Sequence, residues 1–167
     1  MKKRISVLLL ISLCIPLWGC QPKTEPVKSP VTFYYCREEF DHGNEDSVIL
    51  GEIRDQAGFE DNLTGLLDIY LQGPVSENLR STFPYGTVVR EYRVEDTTAV
   101  LTLSHQLALA EGMDLTIACA CLTKTVLELT GLDTVRIYTQ TANLENNSYI
   151  QMDRNTLLLI DSTEIHP

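Results

Sequence analysis

Two stretches of helical period, set between stretches of strand-like alternation, constrain this chain more than anything else in it. In residues 59–72, Phe59, Leu63, Leu66, Leu67 and Tyr70 recur on one helical face, and Gly73-Pro74 stops the run. In residues 114–130, Leu115, Ala118, Cys119, Leu122, Val126 and Leu129 share a face, and Gly131 ends it. Residues 31–36 (VTFYYC) are β-branched and aromatic and predict a strand, as do 47–53 (SVILGEI) and 133–139 (DTVRIYT). Residues 87–94 and 97–104 predict an antiparallel hairpin turning at Glu95-Asp96. Ala99, Leu101 and Leu103 alternate there with Val100, Thr102 and Ser104, giving one apolar face and one mixed face. Phe83-Pro84-Tyr85-Gly86 is a turn signal. Residues 149–152 and 156–161 read as a further hairpin around Asp153-Arg154-Asn155. The order β-β-α-β-β-α-β with a C-terminal hairpin predicts an α+β fold: a two-layer, mostly antiparallel sheet packed by two helices. No internal repeat is visible.

The N-terminus specifies a location. Lys2, Lys3 and Arg4 precede an apolar run that closes on Leu17-Trp18-Gly19-Cys20. A basic start, an apolar middle and a small residue before a cut form a secretory signal. With a cysteine just after the cut, it resembles a bacterial lipoprotein signal. That resemblance implies cleavage before Cys20 and a lipid on its thiol, with Trp18 departing from the usual small residue. As a helix, residues 5–18 would span only about 21 Å, short of a bilayer core of roughly 30 Å. Residues 20–30 then carry the lipidated Cys20 and a tether, with Pro22, Pro26 and Pro30 favouring an extended chain. The expected division is a signal at 1–19, the tether at 20–30, an α+β domain at 31–141 and a C-terminal hairpin extension at 142–167.

Charge narrows the partners. Without residues 1–19, the 13 basic residues fall to 10 against 23 acidic ones, so the net charge is −13. A chain so acidic is a poor match for nucleic acid. It should stand off an anionic membrane, leaving the attachment to the lipid on Cys20. Four cysteines remain, and with Cys20 lipidated that leaves Cys36, Cys119 and Cys121, an odd number that does not describe a disulfide framework.

Several short matches point to a family. Leu66-Leu67 followed by Leu71-Gln72-Gly73-Pro74 resembles the "aLLxGP" signature of the GerMN domain of sporulation and spore germination. Phe83-Pro84-Tyr85-Gly86-Thr87 resembles its "iPxGT" turn, and Thr98 to Ser104 its "gvatvdlS" strand. Val126 to Ile137 resembles its helix end and following strand, and Thr32-Phe33-Tyr34-Tyr35 its opening strand. The chain lacks the "dG" turn after Tyr138-Thr139-Gln140-Thr141, and its loop at 37–46 is unusually acidic. The matching positions Leu66, Leu67, Gly73, Pro74, Pro84, Gly86, Thr87 and Ser104 suit turns and packing, and none is a nucleophile paired with a base. The resemblance therefore implies a non-catalytic module, working by self-assembly or on another envelope protein.

The chemistry-bearing residues point the same way. Cys119 and Cys121 on a helix lie about 200° apart, so they cannot both face one ion. Cys119 falls on the apolar face and Cys121 toward its flank. Glu38, Glu39, Asp41, Glu45 and Asp46, near Cys36 and His42, form an acidic loop without a calcium-loop pattern. His105 follows Ser104 directly, whereas catalytic partners meet in space rather than in sequence. His166 lies in the last two residues. No nucleophile elbow, zinc-protease motif or phosphate-binding loop is present. No enzyme activity, cofactor or metal is expected. A second reading takes the chain as a small-ligand or cell-wall glycan binder, with Tyr34, Tyr85 and Tyr92 lining a surface.

Overall fold

The computed structural model describes residues 29–39, 47–56, 58–59, 61–140, 143–144 and 147–160, the side chains of 158–160 excepted. The signal at 1–19, Cys20, most of the tether, residues 40–46 with His42, and His166 lie outside the described residues.

The fold is α+β, with two sheets and three helices. In the first sheet, strand β1 (Pro30–Arg37) lies between β2 (Ile49–Asp55) and the two-residue β3 (Leu79–Arg80), antiparallel to both. The second sheet runs in the order β4 (Val89–Glu95), β5 (Thr98–Leu103), β6 (Thr134–Thr139), β7 (Ile150–Asp153). Its β5–β6 pair is parallel, and the others are antiparallel. The parallel pair follows from the connection: a 3₁₀ turn at His105–Leu109 and helix α2 (Gly112–Thr130) carry the chain back across the sheet.

Helix α2 packs on β1 of one sheet and on β6 and β7 of the other. That position explains why Leu115, Ile117 to Thr123 and Thr125 to Leu127 are all buried, since a helix covered on every side needs no polar face. Gly131 closes it in the left-handed region at φ 69°, its N–H donating to the Leu127 carbonyl. Cys121, placed toward a flank by the periodicity, is buried like Cys119 because both sides of α2 are covered.

Helix α1 (Leu63–Leu71) is shorter than its periodic stretch. Asn62 caps it, its side-chain oxygen accepting the Gly65 N–H at 2.9 Å. Phe59 lies before the helix, its ring pressed over Gly65, where a Cβ would meet it at 2.6 Å. Leu66, Leu67 and Tyr70 form the buried face. Tyr70 stacks on Tyr35 at 4.9 Å and meets Phe33 and Phe83 edge-on. Its hydroxyl donates to the Tyr34 carbonyl at 3.0 Å, while the Tyr35 hydroxyl donates to the Tyr70 carbonyl. The Tyr34 N–H donates to Thr125 Oγ1 at 2.9 Å. Side chains from both helices therefore satisfy the backbone of β1 where no strand pairs with it.

One expectation is corrected at the C-terminus. The stretch expected as the second strand of a hairpin, 156–161, is helical over its described residues: α3 spans Arg154–Ile160. Asp153 Oδ1 accepts the N–H and the hydroxyl of Thr156 at 2.8 and 2.9 Å, an N-terminal cap that turns the chain into a helix. β7 is the fourth strand of the second sheet, and Met152 and Leu157 are buried. Met152 and Leu157 thus pack into the core.

Candidate docking face

The second sheet has one covered face and one open face. Side chains alternate along each strand, so the pairing register assigns them to faces. Ala99, Leu101, Leu103, Val135, Ile137, Ile150 and Met152 share the face toward α2. The opposite face carries Arg93, Val100, Arg136 and Gln151 in one row across all four strands. Glu91, Thr102 and Tyr138 form the row above, and Glu95, Thr98, Thr134 and Asp153 the row below.

This open face is ordered by its own charges. Arg93 donates to Glu95 at 3.0 Å and to Glu91 at 3.2 Å. Arg136 donates to Glu95 at 3.1 Å and to Gln151 at 3.1 Å. The Arg136 guanidinium also sits 5.3 Å from the Tyr149 ring, and that ring lies 5.4 Å from Tyr138. The result is a polar surface over buried Val100 with an aromatic corner, solvent-exposed at Glu91, Arg93, Glu95 and Tyr149. Each exposed ion pair contributes little to folding.

The residues matched to the family signature serve turns and packing. Leu66 and Leu67 are buried on α1. Gly73 takes φ 99° just past the end of α1, ahead of Pro74, and Gly86 takes φ 82° in the 84–87 turn. Thr87 N–H and hydroxyl both donate to the Pro84 carbonyl, at 3.1 and 2.7 Å. Buried Ser104 accepts the Val88 N–H on its hydroxyl oxygen at 3.1 Å and returns its own N–H to the Val88 carbonyl at 3.0 Å. That hydroxyl is thus occupied in joining the 84–87 turn to the end of β5, while the adjacent His105 is exposed.

One polar residue here was missed by the sequence reading. Glu52, buried on β2, accepts the N–H groups of Val75 at 3.0 Å and Ser76 at 2.8 Å, and pairs with Arg54 at 2.6 Å. It fixes the loop that follows Gly73-Pro74. Burial pushes its carboxyl up. The Arg54 guanidinium and the Ser76 and Val75 N–H groups outweigh that and hold its pKa below the ordinary range.

No catalytic grouping emerges among the described residues. Cys36, Cys119 and Cys121 are buried and none is in a disulfide among the described residues, and burial pushes Cys119 up to about 12. Such a thiol is inert at neutral pH. Among the described residues no group of three His, Cys, Asp or Glu side chains could hold a metal ion, and no helix is long and apolar enough to cross a membrane. Glu38 and Glu39 line a cleft of about 390 Å³ with Glu77 and Arg37, and a second cleft of about 420 Å³ holds the Arg80–Asp114 pair. Tyr34 lies under Lys124 in the first sheet, Tyr85 projects from the tip of the 84–87 turn, and Tyr92 is on β4.

Comparison with known proteins agrees with this architecture. No curated protein sequence matches. Among solved structures, the first GerMN domain of the sporulation protein GerM from Bacillus subtilis superposes with a TM-score of 0.58 at 17% identity. The alignment covers 75% of this chain and 98% of that one. A candidate lipoprotein from Clostridium perfringens aligns with a TM-score of 0.46 at 15% identity, over 76% of this chain and 89% of that one. The family model described as "Germane: Sporulation and spore germination" matches residues 32–144, from β1 through β6. With this match spanning most of its length, the chain belongs to the Germane sporulation and spore germination family.

Proposed function

We propose that this protein is a lipid-anchored, extracytoplasmic and non-catalytic interaction module of sporulation, germination or cell-envelope assembly. The observation that carries the reading is the open face of the second sheet, where Arg93, Arg136, Glu91, Glu95, Tyr138 and Tyr149 form an exposed, internally ordered surface. Arg and Tyr are enriched in protein interfaces; each offers a planar group, and the tyrosine ring orders at little entropic cost. The partner in this reading is another envelope protein or a second copy of the chain. Family membership supports the setting. The acidic balance, −13 without residues 1–19, favours a partner with a basic surface.

The membrane link rests on Cys20, at the end of the apolar N-terminal run. A Cys20→Ser variant should leave the membrane fraction or accumulate as uncleaved precursor, read by fractionation and the size of the band. A processed variant still on the membrane after a salt wash would contradict the anchor.

A further inference from the structure

We propose that β4 is a self-pairing edge. Two copies of this chain join there, antiparallel about a two-fold axis at Tyr92, into one continuous eight-stranded sheet. This deepens the docking reading by naming a second copy as partner and β4 as the contact.

β4 ends the strand order β4-β5-β6-β7, so one of its sides has no neighbouring strand. The hairpin register fixes which backbone groups lie on that side. Glu95 is paired with Thr98 across a two-residue turn, Asp96-Thr97, which makes them a hydrogen-bonded pair. Alternation then directs the backbone N–H and carbonyl groups of Glu95, Arg93 and Glu91 toward β5. Those of Tyr92 and Val94 point outward. The same alternation puts Glu91, Arg93 and Glu95 on the open face and Tyr92 and Val94 on the other, where Val94 is 50% exposed.

This edge is complementary to itself. With the axis at Tyr92, the two Tyr92 residues face each other as a hydrogen-bonded pair. Glu91 then stands opposite Arg93 of the second copy, and Arg93 opposite Glu91 of the second copy. Two cross-strand ion pairs form at once, and the Tyr92 and Val94 side chains are covered. Arg93 already lies along this face, 3.2 Å from Glu91 and 3.0 Å from Glu95 of its own chain, so little reorganisation is needed. A foreign strand without this alternation would offer Glu91 and Arg93 no cross-strand partner, and the register irregularity between Val89 and Glu91 keeps the pairing short. Charge alternation thus selects a second copy over other strands. The edge strand β2 has no such pattern: Glu52 is turned inward onto the 75–76 loop.

The test is cysteine cross-linking of the full chain in membranes under mild oxidation. Opposed residues of a hydrogen-bonded pair have Cα atoms about 5.5 Å apart, within reach of a disulfide. Tyr92→Cys should give a covalent dimer that neither the parent chain nor Ile53→Cys on β2 gives. Adding Arg93→Glu should reduce that dimer by at least about tenfold, because like charges then face each other across the axis. Adding Glu91→Arg as well should restore it. Equal cross-linking at Tyr92→Cys and Ile53→Cys, or no restoration by the double charge swap, would overturn the proposal. So would a parent-level yield from Tyr92→Cys. Failure here with function still lost on altering Arg136 and Tyr149 would sink the second copy as partner and leave the docking face standing.

Discussion

Replacing Tyr70 by alanine is expected to cost about 3–5 kcal/mol, the range for emptying the site of a large buried aromatic. Total stability for a domain is about 5–15 kcal/mol, so this one change should leave the chain near its folding limit. The reason is the number of elements that meet at the ring. Tyr70 is fully buried, stacks on Tyr35, meets Phe33 and Phe83 edge-on, and closes the Tyr34 carbonyl with its hydroxyl. One side chain therefore ties α1 to the first sheet and to the segment leading into the 84–87 turn. Tyr70→Phe separates packing from hydrogen bonding. It keeps the ring but leaves the partly buried Tyr34 carbonyl without its donor, at about 1 kcal/mol. Urea midpoints should rank wild type above Tyr70→Phe, and Tyr70→Phe above Tyr70→Ala. An alanine variant within about 1 kcal/mol of wild type, well short of the expected cavity cost, would contradict this packing.

Glu52→Gln is expected to lose about 1.5–3 kcal/mol at neutral pH, the usual worth of hydrogen bonds to a charged group. The glutamine keeps the volume but offers one acceptor oxygen where Val75, Ser76 and Arg54 now share two. The same residue gives stability a pH signature. Its folded pKa lies below its unfolded one, so the unfolded chain takes up the proton more readily as acid is added. The contribution is complete above the ordinary carboxylate range and is lost as pH falls through that range and on through the depressed folded value. Comparing unfolding free energies of wild type and Glu52→Gln from neutral pH downward, the gap should be constant near neutrality and narrow in acid. A gap that widens in acid would mean the carboxylate is not what holds the 75–76 loop.

The alternation of Ala99, Leu101 and Leu103 and the period of Leu115 to Leu129 are local, and both elements stand where those patterns put them. The C-terminal stretch was misread because Thr156-Leu157-Leu158-Leu159-Ile160 is a short apolar run without a period, which suits a strand or a helix. The discriminating signal was Asp153 with Thr156 three residues later, a helix-start spacing. The division into two sheets was hidden because it depends on α2 packing on β1 and β6 together, contacts far apart in sequence. Glu52 carries no local mark: its amide partners are 23 and 24 residues away. The polar surface is non-local too, with Glu95 and Arg136 41 residues apart. Tyr149 and Gln151 lie beyond the stretch matched by the family model, so part of the face falls outside what the family signature describes.

In the proposed function the protein acts through the open face of its second sheet and not through chemistry. Rescue of a deletion in the native host tests it directly, with each variant expressed at wild-type level and melting at the wild-type temperature. One variant carries Arg136→Glu and Tyr149→Lys. These replace partly exposed residues in a surface network worth little to folding. The other removes the histidines, His42, His105 and His166, as alanines. The account predicts that the histidine-free chain rescues fully and the Arg136/Tyr149 chain does not. A dead histidine-free chain beside a fully active Arg136/Tyr149 chain would contradict it and point to chemistry instead.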